Sequence, residues 1–197
     1  MAESENDRQY NTINMMTTMH AVLRDRYQRR AFLLSVSMLG AAIALNAFVF
    51  VSDEILTALF LGNAERAKLG IGVVSVVLLV AAVVELRVDW ASKGKSHDEA
   101  VHRLGRLKSQ YRAVYSRREE GIELRTEESN LSEEYGRVFA ELPSIPDRQF
   151  APLKAYHRFK CELSRQLDLD PAVPYWMVWL RVRISGALRG FSSDRRG

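Results

Sequence analysis

The chain of 197 residues holds one cysteine, Cys161, so no disulfide can close within it. A lone thiol in a hydrophilic stretch fits a reducing compartment, and the burial habit of free cysteine predicts an inert side chain packed inside the fold. Catalytic signatures are equally scarce. There is no Gly-x-Ser-x-Gly elbow, no Walker loop and no Cys/His cluster. Gly70-Ile71-Gly72 lacks both the strand before and the helix-opening phosphate site after that a nucleotide loop requires. His97 and His102 resemble a zinc pair only superficially. Metalloprotease histidines stand four apart on one helix face, whereas these stand five apart, roughly 140° around the helix. Capping and surface roles suit them better. Neither an enzyme nor a cofactor is expected, and no segment alternates with the period of a strand.

The most informative gap is one of charge. Ala31–Val51 runs 21 residues without Asp, Glu, Lys or Arg. At ~1.5 Å per residue that length covers the ~30 Å hydrocarbon core of a bilayer. Leu69–Val84 is shorter, 16 residues, and ends at Glu85, with Leu86 and Val88 prolonging it where the carboxylate faces protein or water. A first span needs a second to bring the chain back, so the spans are placed at about 31–51 and 69–86. A signal peptide is a poor reading of the first run, because the residues before it are polar and no small-residue cleavage site follows.

The net charge is +4, and from Glu85 onward there are 21 Lys/Arg against 17 Asp/Glu. That balance is too even for a nucleic-acid surface. Attraction to anionic lipid headgroups is a sufficient reading of the excess. The flanking cations also set an orientation. Arg24, Arg26, Arg29 and Arg30 precede the first run, and Arg87, Lys93, Lys95, Arg103, Arg106 and Lys108 follow the second. The connecting segment Ser52–Lys68 offers only Arg66 and Lys68. Both termini are therefore expected in the cytoplasm. Within that segment Ile55–Leu61 is apolar but too short to span, and either extends the first helix or lies on the outer leaflet.

The expected fold is an all-α membrane protein in three parts: a cytoplasmic amphipathic helix over 1–30, a two-span transmembrane helical hairpin over 31–88, and a cytoplasmic helical domain over 89–197. In the first part Ile13, Met16, Leu23 and Tyr27, with His20, form one stripe. Ser96-His97-Asp98-Glu99 has the pattern of a capping box and predicts a helix from there to about Ile122, with Leu104, Leu107, Tyr111 and Val114 as its seam. Gly94 either breaks this helix from the second span or lies within one long rod. Glu119–Glu134 is dense in charge and reads as exposed, either a continuing helix or a hairpin connection. Pro143-Ser144-Ile145-Pro146 is a boundary. A helix from about Pro152 to Leu167 carries Leu153, Tyr156, Phe159, Leu163 and Leu167, and a last one covers Pro174–Gly190. Its Tyr175, Trp176 and Trp179, with several arginines, suit a membrane interface and a protein contact equally.

Polar residues inside the apolar runs are the candidate functional positions. Asn46 shares a face with Ser35 and Ala42, and an amide in hydrocarbon is costly without a hydrogen bond or water. Gly40-x-x-x-Ala44 offers a small-residue surface for close helix approach. Ser75 is the one polar residue of Leu69–Val84, and Glu85 stands at the inner mouth, where it either borders a conducting path or snorkels to the headgroups. Two spans cannot enclose a pore alone. Self-association into a homo-oligomer is therefore expected, with an interhelical bond within one chain as the alternative.

The amphipathic lead, the compact hairpin and the long helix after it together resemble the SLATT proteins, the two-transmembrane effectors associated with SMODS nucleotidyltransferases and SLOG sensors. The stretch Trp90 to Tyr115 carries the likeness, with His102, Leu104, Tyr111 and Tyr115 in the helix after the second span. The resemblance implies an effector of bacterial anti-phage defence that permeabilises the membrane when a sensor or nucleotide encoded nearby triggers it. It implies no ligand site. The rival readings are a non-conducting membrane scaffold that recruits a partner and a regulatory subunit of a transporter.

Overall fold

A computed structural model of the chain describes residues 5–50, 64–119, 125–170 and 173–193. Among these there are six helices and no strand. They are α1 (Glu5–Val49), α2 (Ala64–Val88), α3 (Trp90–Glu119), α4 (Arg125–Glu141), α5 (Asp147–Leu169) and α6 (Tyr175–Ser193). The apolar patch Ile55–Leu61 lies outside the described residues. α1 is one unbroken helix, so the amphipathic lead and the first apolar run share a single hydrogen-bond ladder. α2 begins five residues before Leu69, which places Arg66 and Lys68 within the helix.

The contacts divide the chain into two compact units, Met1–Val22 with Ala100–Gly197 and Leu23–Glu99. Hydropathy sets the sequence boundaries at 30 and 88, whereas packing sets these.

In the first unit the start of α1 runs antiparallel to α3, and α3 antiparallel to α4. Ile13, Leu104, Leu107, Tyr111, Val114 and Leu131 form the core, ringed by Tyr10, Met16, Tyr115, Tyr135, Val138 and Phe139. Each fully buried Leu or Ile contributes about 1.5–3 kcal/mol of transfer free energy. The charged segment Glu119–Glu134, expected to be exposed as a continuing helix or a hairpin connection, thus enters a separate helix whose Leu131 is in the core. In α4 the residues Leu131, Tyr135, Val138 and Phe139 keep three- to four-residue spacing and face the seam. Ion pairs Arg117–Glu127 at 2.9 Å and Arg118–Glu128 at 3.6 Å, with Arg103–Glu141, tie α4 to α3 along the surface. Such exposed pairs are worth ~0–1 kcal/mol each.

A polar relay leads from this core to its surface. The Tyr111 hydroxyl donates to Gln9 Oε1 at 2.5 Å, and Gln9 Nε2 donates to Ser132 Oγ at 3.1 Å. Burial pushes the Tyr111 phenol up to about 12, with Tyr135 and Glu5 adding to the effect. Tyr115 is raised too, by burial first and then by its hydrogen bond to Asp7 at 3.0 Å.

α5 begins earlier than the sequence reading places it, at Asp147, with Pro152 inside the helix in its second turn, where its missing N–H costs the ladder one bond. Its Phe159, Leu163 and Leu167 pack on Val178, Val182 and Trp179 of α6. Cys161 is exposed, contrary to the burial expected of it. The helix period explains this: Cys161 is two residues from Leu163 and so points roughly 200° away from the packed face.

The second unit contains the apolar part of α1, all of α2 and the opening turns of α3. Here the break between α2 and α3 is at Asp89, not Gly94. Asp89 adopts φ 47°. Its N–H donates to Glu85 O at 2.8 Å, and its carboxylate accepts the Ser92 N–H at 3.0 Å, capping α3. Ser96-His97-Asp98-Glu99 is consequently not a helix start. The Ser96 hydroxyl donates back to Lys93 O at 2.9 Å, because a turn of helix already precedes it. Gly94 is buried inside α3 against α1, where an added Cβ would meet Gln28 Cγ at 3.2 Å. His97 is not a surface residue: it is 4% exposed, stacked on Tyr27 with centroids 5.5 Å apart and planes 4° apart, and burial lowers its pKa. Arg24 reaches Asp98 at 3.1 Å in the same contact.

Candidate functional site

α1 and α2 are both long and apolar enough to cross a membrane, and none of either apolar window is buried within the chain. Phe32 and Leu39 on α1 are 66% and 63% exposed, and Leu79 and Leu86 on α2 are 66% and 85% exposed. An apolar surface that encircles a helix is unfavourable in water by ~25 cal/mol per Å². Its natural solvent is lipid or other apolar helices.

The polar residues of these helices are turned outward. Ser35 and Asn46 are exposed, and Asn46 Nδ2 donates to Ala42 O at 3.0 Å, one turn back on its own helix. Ser75 does the same, donating to Ile71 O at 2.9 Å. Glu85 is half-buried beside the Asp89 joint. Among the described residues none of these four is hydrogen-bonded to another. A Cβ added at Gly40 would meet nothing within 4 Å, so the Gly40/Ala44 surface is open rather than packed within the chain.

Helical geometry separates these features further. At 100° per residue Ser35, Ala42 and Asn46 fall within roughly 40° of one another, while Gly40 and Ala44 lie roughly 140–180° around from Ser35. One neighbouring helix cannot engage both faces of α1. Sequence spacing alone already contains this result.

The three aromatic anchors of the last helix divide as well. Trp179 is half-buried against Phe159, their ring centroids 6.5 Å apart, with the Arg183 guanidinium 4.9 Å from its ring. Tyr175 and Trp176 are each 61% exposed. Trp179 therefore belongs to the α5–α6 core and only the other two remain available to a surface.

Sequence reading missed one further feature. A cleft of about 560 Å³ lies between α1 and α5, lined by Arg8, Asn11, Asn14, Lys154, His157 and Arg158 among others, with no carboxylate in its wall. His157 Nδ1 lies 3.1 Å from Thr18 Oγ1. Burial, then Lys160 and Lys108, lower its pKa. The signal for this cleft was the absence of acids from the facing positions of two helices, which is invisible until the helices are paired. No group of three or more His, Cys, Asp or Glu suited to a metal converges among the described residues.

No protein-family model, no curated protein and no solved structure matches the chain.

Proposed function

We propose that the chain is an integral membrane protein of the bacterial inner membrane, with both termini cytoplasmic, that assembles into a homo-oligomer and permeabilises the bilayer when triggered. In this reading it is an effector of anti-phage defence, answering a sensor or nucleotidyltransferase encoded nearby. The observation that carries it is the outward placement of two unlike faces on opposite sides of α1: Ser35 with Asn46, and Gly40 with Ala44. A helix with two such faces is suited to a neighbour on each side, as in a ring of copies, where the small-residue face permits close approach and the polar face meets water or a partner amide. Ser75 adds a hydroxyl from α2, and Glu85 a carboxylate at the inner end. The Lys/Arg-rich flanks support the orientation, and the architecture resembling the SLATT proteins supports the defence role.

The test is ion flux across liposomes containing the purified protein, with and without Asn46→Leu. Wild-type leakage, weakened by Asn46→Leu at equal incorporation, is the expected result. Leu favours insertion over Asn, so a failure to insert cannot explain the loss. Leakage unchanged by Asn46→Leu removes this residue from the path. Absence of leakage under every trigger tested removes the pore.

The own-helix bonds of Asn46 and Ser75 favour a second reading, because a side chain satisfied one turn back demands no partner. In it the spans anchor a non-conducting scaffold or regulatory subunit whose cytoplasmic helices recruit a partner.

A further inference from the structure

α6 packs on α5 through Val178, Val182 and Trp179, and its opposite side is exposed between Trp176 and Ile184. On that side Trp176 is 61% exposed, Met177 46%, Leu180 45% and Ile184 52%. At 100° per residue these four fall within one arc of roughly 100°. Arg183 lies roughly 20° beyond one edge of the arc and Arg181 roughly 40° beyond the other, and both are exposed. From Val173 to Ser193 the sequence contains Arg181, Arg183 and Arg189 and no acidic residue. An unbroken apolar arc bordered by arginine on both edges is a surface with two requirements, an apolar one at its centre and an anionic one at its margins.

We infer that this face of α6 lies in the headgroup region of an anionic lipid leaflet, with Trp176, Met177, Leu180 and Ile184 at the acyl boundary and Arg181 and Arg183 on lipid phosphates. The inference rests on the proposed membrane residence of the chain. A second copy is the weaker occupant. Two such faces laid symmetrically together would bring arginine edges near one another with no carboxylate on either helix to answer them. A bilayer satisfies both requirements at once: the apolar arc enters the interface, indole prefers that depth, and each arginine near an anionic surface gains a favourable interaction.

The experiment uses the full-length chain carrying Trp90→Phe and Trp179→Phe, which leaves Trp176 as the single indole. It is reconstituted in vesicles of phosphatidylcholine, alone or mixed with phosphatidylglycerol. Flotation first reports whether the chain resides in the membrane at all. Trp176 emission is then challenged with a lipid bearing a nitroxide high on its acyl chain and with aqueous acrylamide. In anionic vesicles the nitroxide should quench Trp176 and acrylamide should not. Arg181→Gln should lower the ratio of docked to undocked helix roughly fivefold there, and Arg181→Gln with Arg183→Gln roughly 25-fold. Because Arg183 lies over the ring at position 179, itself substituted in this chain, the single variant is the cleaner measure. Leu180→Asp, at an exposed position that bears no core packing, should undock the helix in both lipid mixtures. A chain that fails to float overturns membrane residence and this inference with it. A chain that floats while Trp176 stays open to acrylamide overturns this inference alone. Protection from both quenchers means that protein, such as a second copy, covers the face, and overturns it equally.

Discussion

Gly94 permits a controlled test of how α1 and α3 meet. An added Cβ would lie 3.2 Å from Gln28 Cγ, 3.6 Å from Gln28 N and 3.7 Å from Tyr27 Cβ. Gly105, on the same helix, would present its Cβ to open space. Both glycines carry the same intrinsic penalty in a helix interior, ~0.8–1.0 kcal/mol relative to alanine. Gly105→Ala should therefore stabilise by about that amount, raising the melting temperature by roughly 2–4 °C for a chain of this size. Gly94→Ala gains the same helix term but must push Gln28 back by a few tenths of an ångström, since carbon pairs prefer ~3.5–4.0 Å. Overpacking of that kind costs about 1–3 kcal/mol. The two terms leave a net change between none and a loss of about 2 kcal/mol. Gly94→Leu fills the contact further and should lower the midpoint by roughly 4–8 °C. The assay is far-ultraviolet circular dichroism of the detergent-solubilised protein on heating. The reasoning fails if Gly94→Ala stabilises as much as Gly105→Ala, or if Gly94→Leu melts with the wild type.

Tyr111→Phe removes the donor to Gln9 Oε1 and strands a buried oxygen, so it should cost about 1–3 kcal/mol, read as a lower melting temperature; an unchanged midpoint would contradict the relay. The phenol's pKa is raised in the folded state from 10.0 to about 12, so its contribution is complete below pH 10 and is lost as pH rises through 12. Over that window the wild type should lose stability more steeply than Tyr111→Phe, and parallel alkaline titrations of the two would sink the argument. Reporter fusions at Met1 and Gly197 should both report cytoplasm and one at Asn63 the opposite side, with an external C-terminal reporter ruling out two spans. Native mass spectrometry in mild detergent should find a homo-oligomer, and monomer alone at micromolar concentration would count against ring assembly.

Much of the helical plan was readable because its signals are periodic. The seam Leu104, Leu107, Tyr111 and Val114 is buried as its spacing requires, and so are Ile13, His20 and Leu23 in the stripe of α1. The two apolar runs needed only length and absence of charge. What spacing could not give was which of two competing local rules prevails. Gly94 breaks isolated helices, yet here a close helix crossing uses its missing side chain while Asp89 makes the actual bend. Ser96 has a capping pattern, but a turn of helix precedes it and its hydroxyl bonds backward. Over Glu119–Glu134 the density of charge leaves a continuing helix and a hairpin connection both open, although Leu131, Tyr135, Val138 and Phe139 keep a helical period. Tyr156 shares the spacing of Leu153 and Phe159 but remains 48% exposed, since a stripe shows which side can be covered and not how far the cover extends. The polar residues of the two apolar runs are legible in the sequence, whereas their bonds to their own helix backbone depend on rotamers that spacing does not encode.

The Asp89 joint has a mechanical consequence. The N–H of that one residue closes the ladder of α2, its carbonyl accepts the Lys93 N–H at 3.2 Å, and its carboxylate caps Ser92. Hydrogen bonding is thus nearly continuous across the bend, and the slack between the two helices is confined to the torsions of a single residue. A connector of several free residues would absorb any twist of α2 about its axis. Here that twist passes into the first turn of α3 as torque, much as a drive shaft turns through a stiff coupling, and arrives where Gly94 and His97 grip α1.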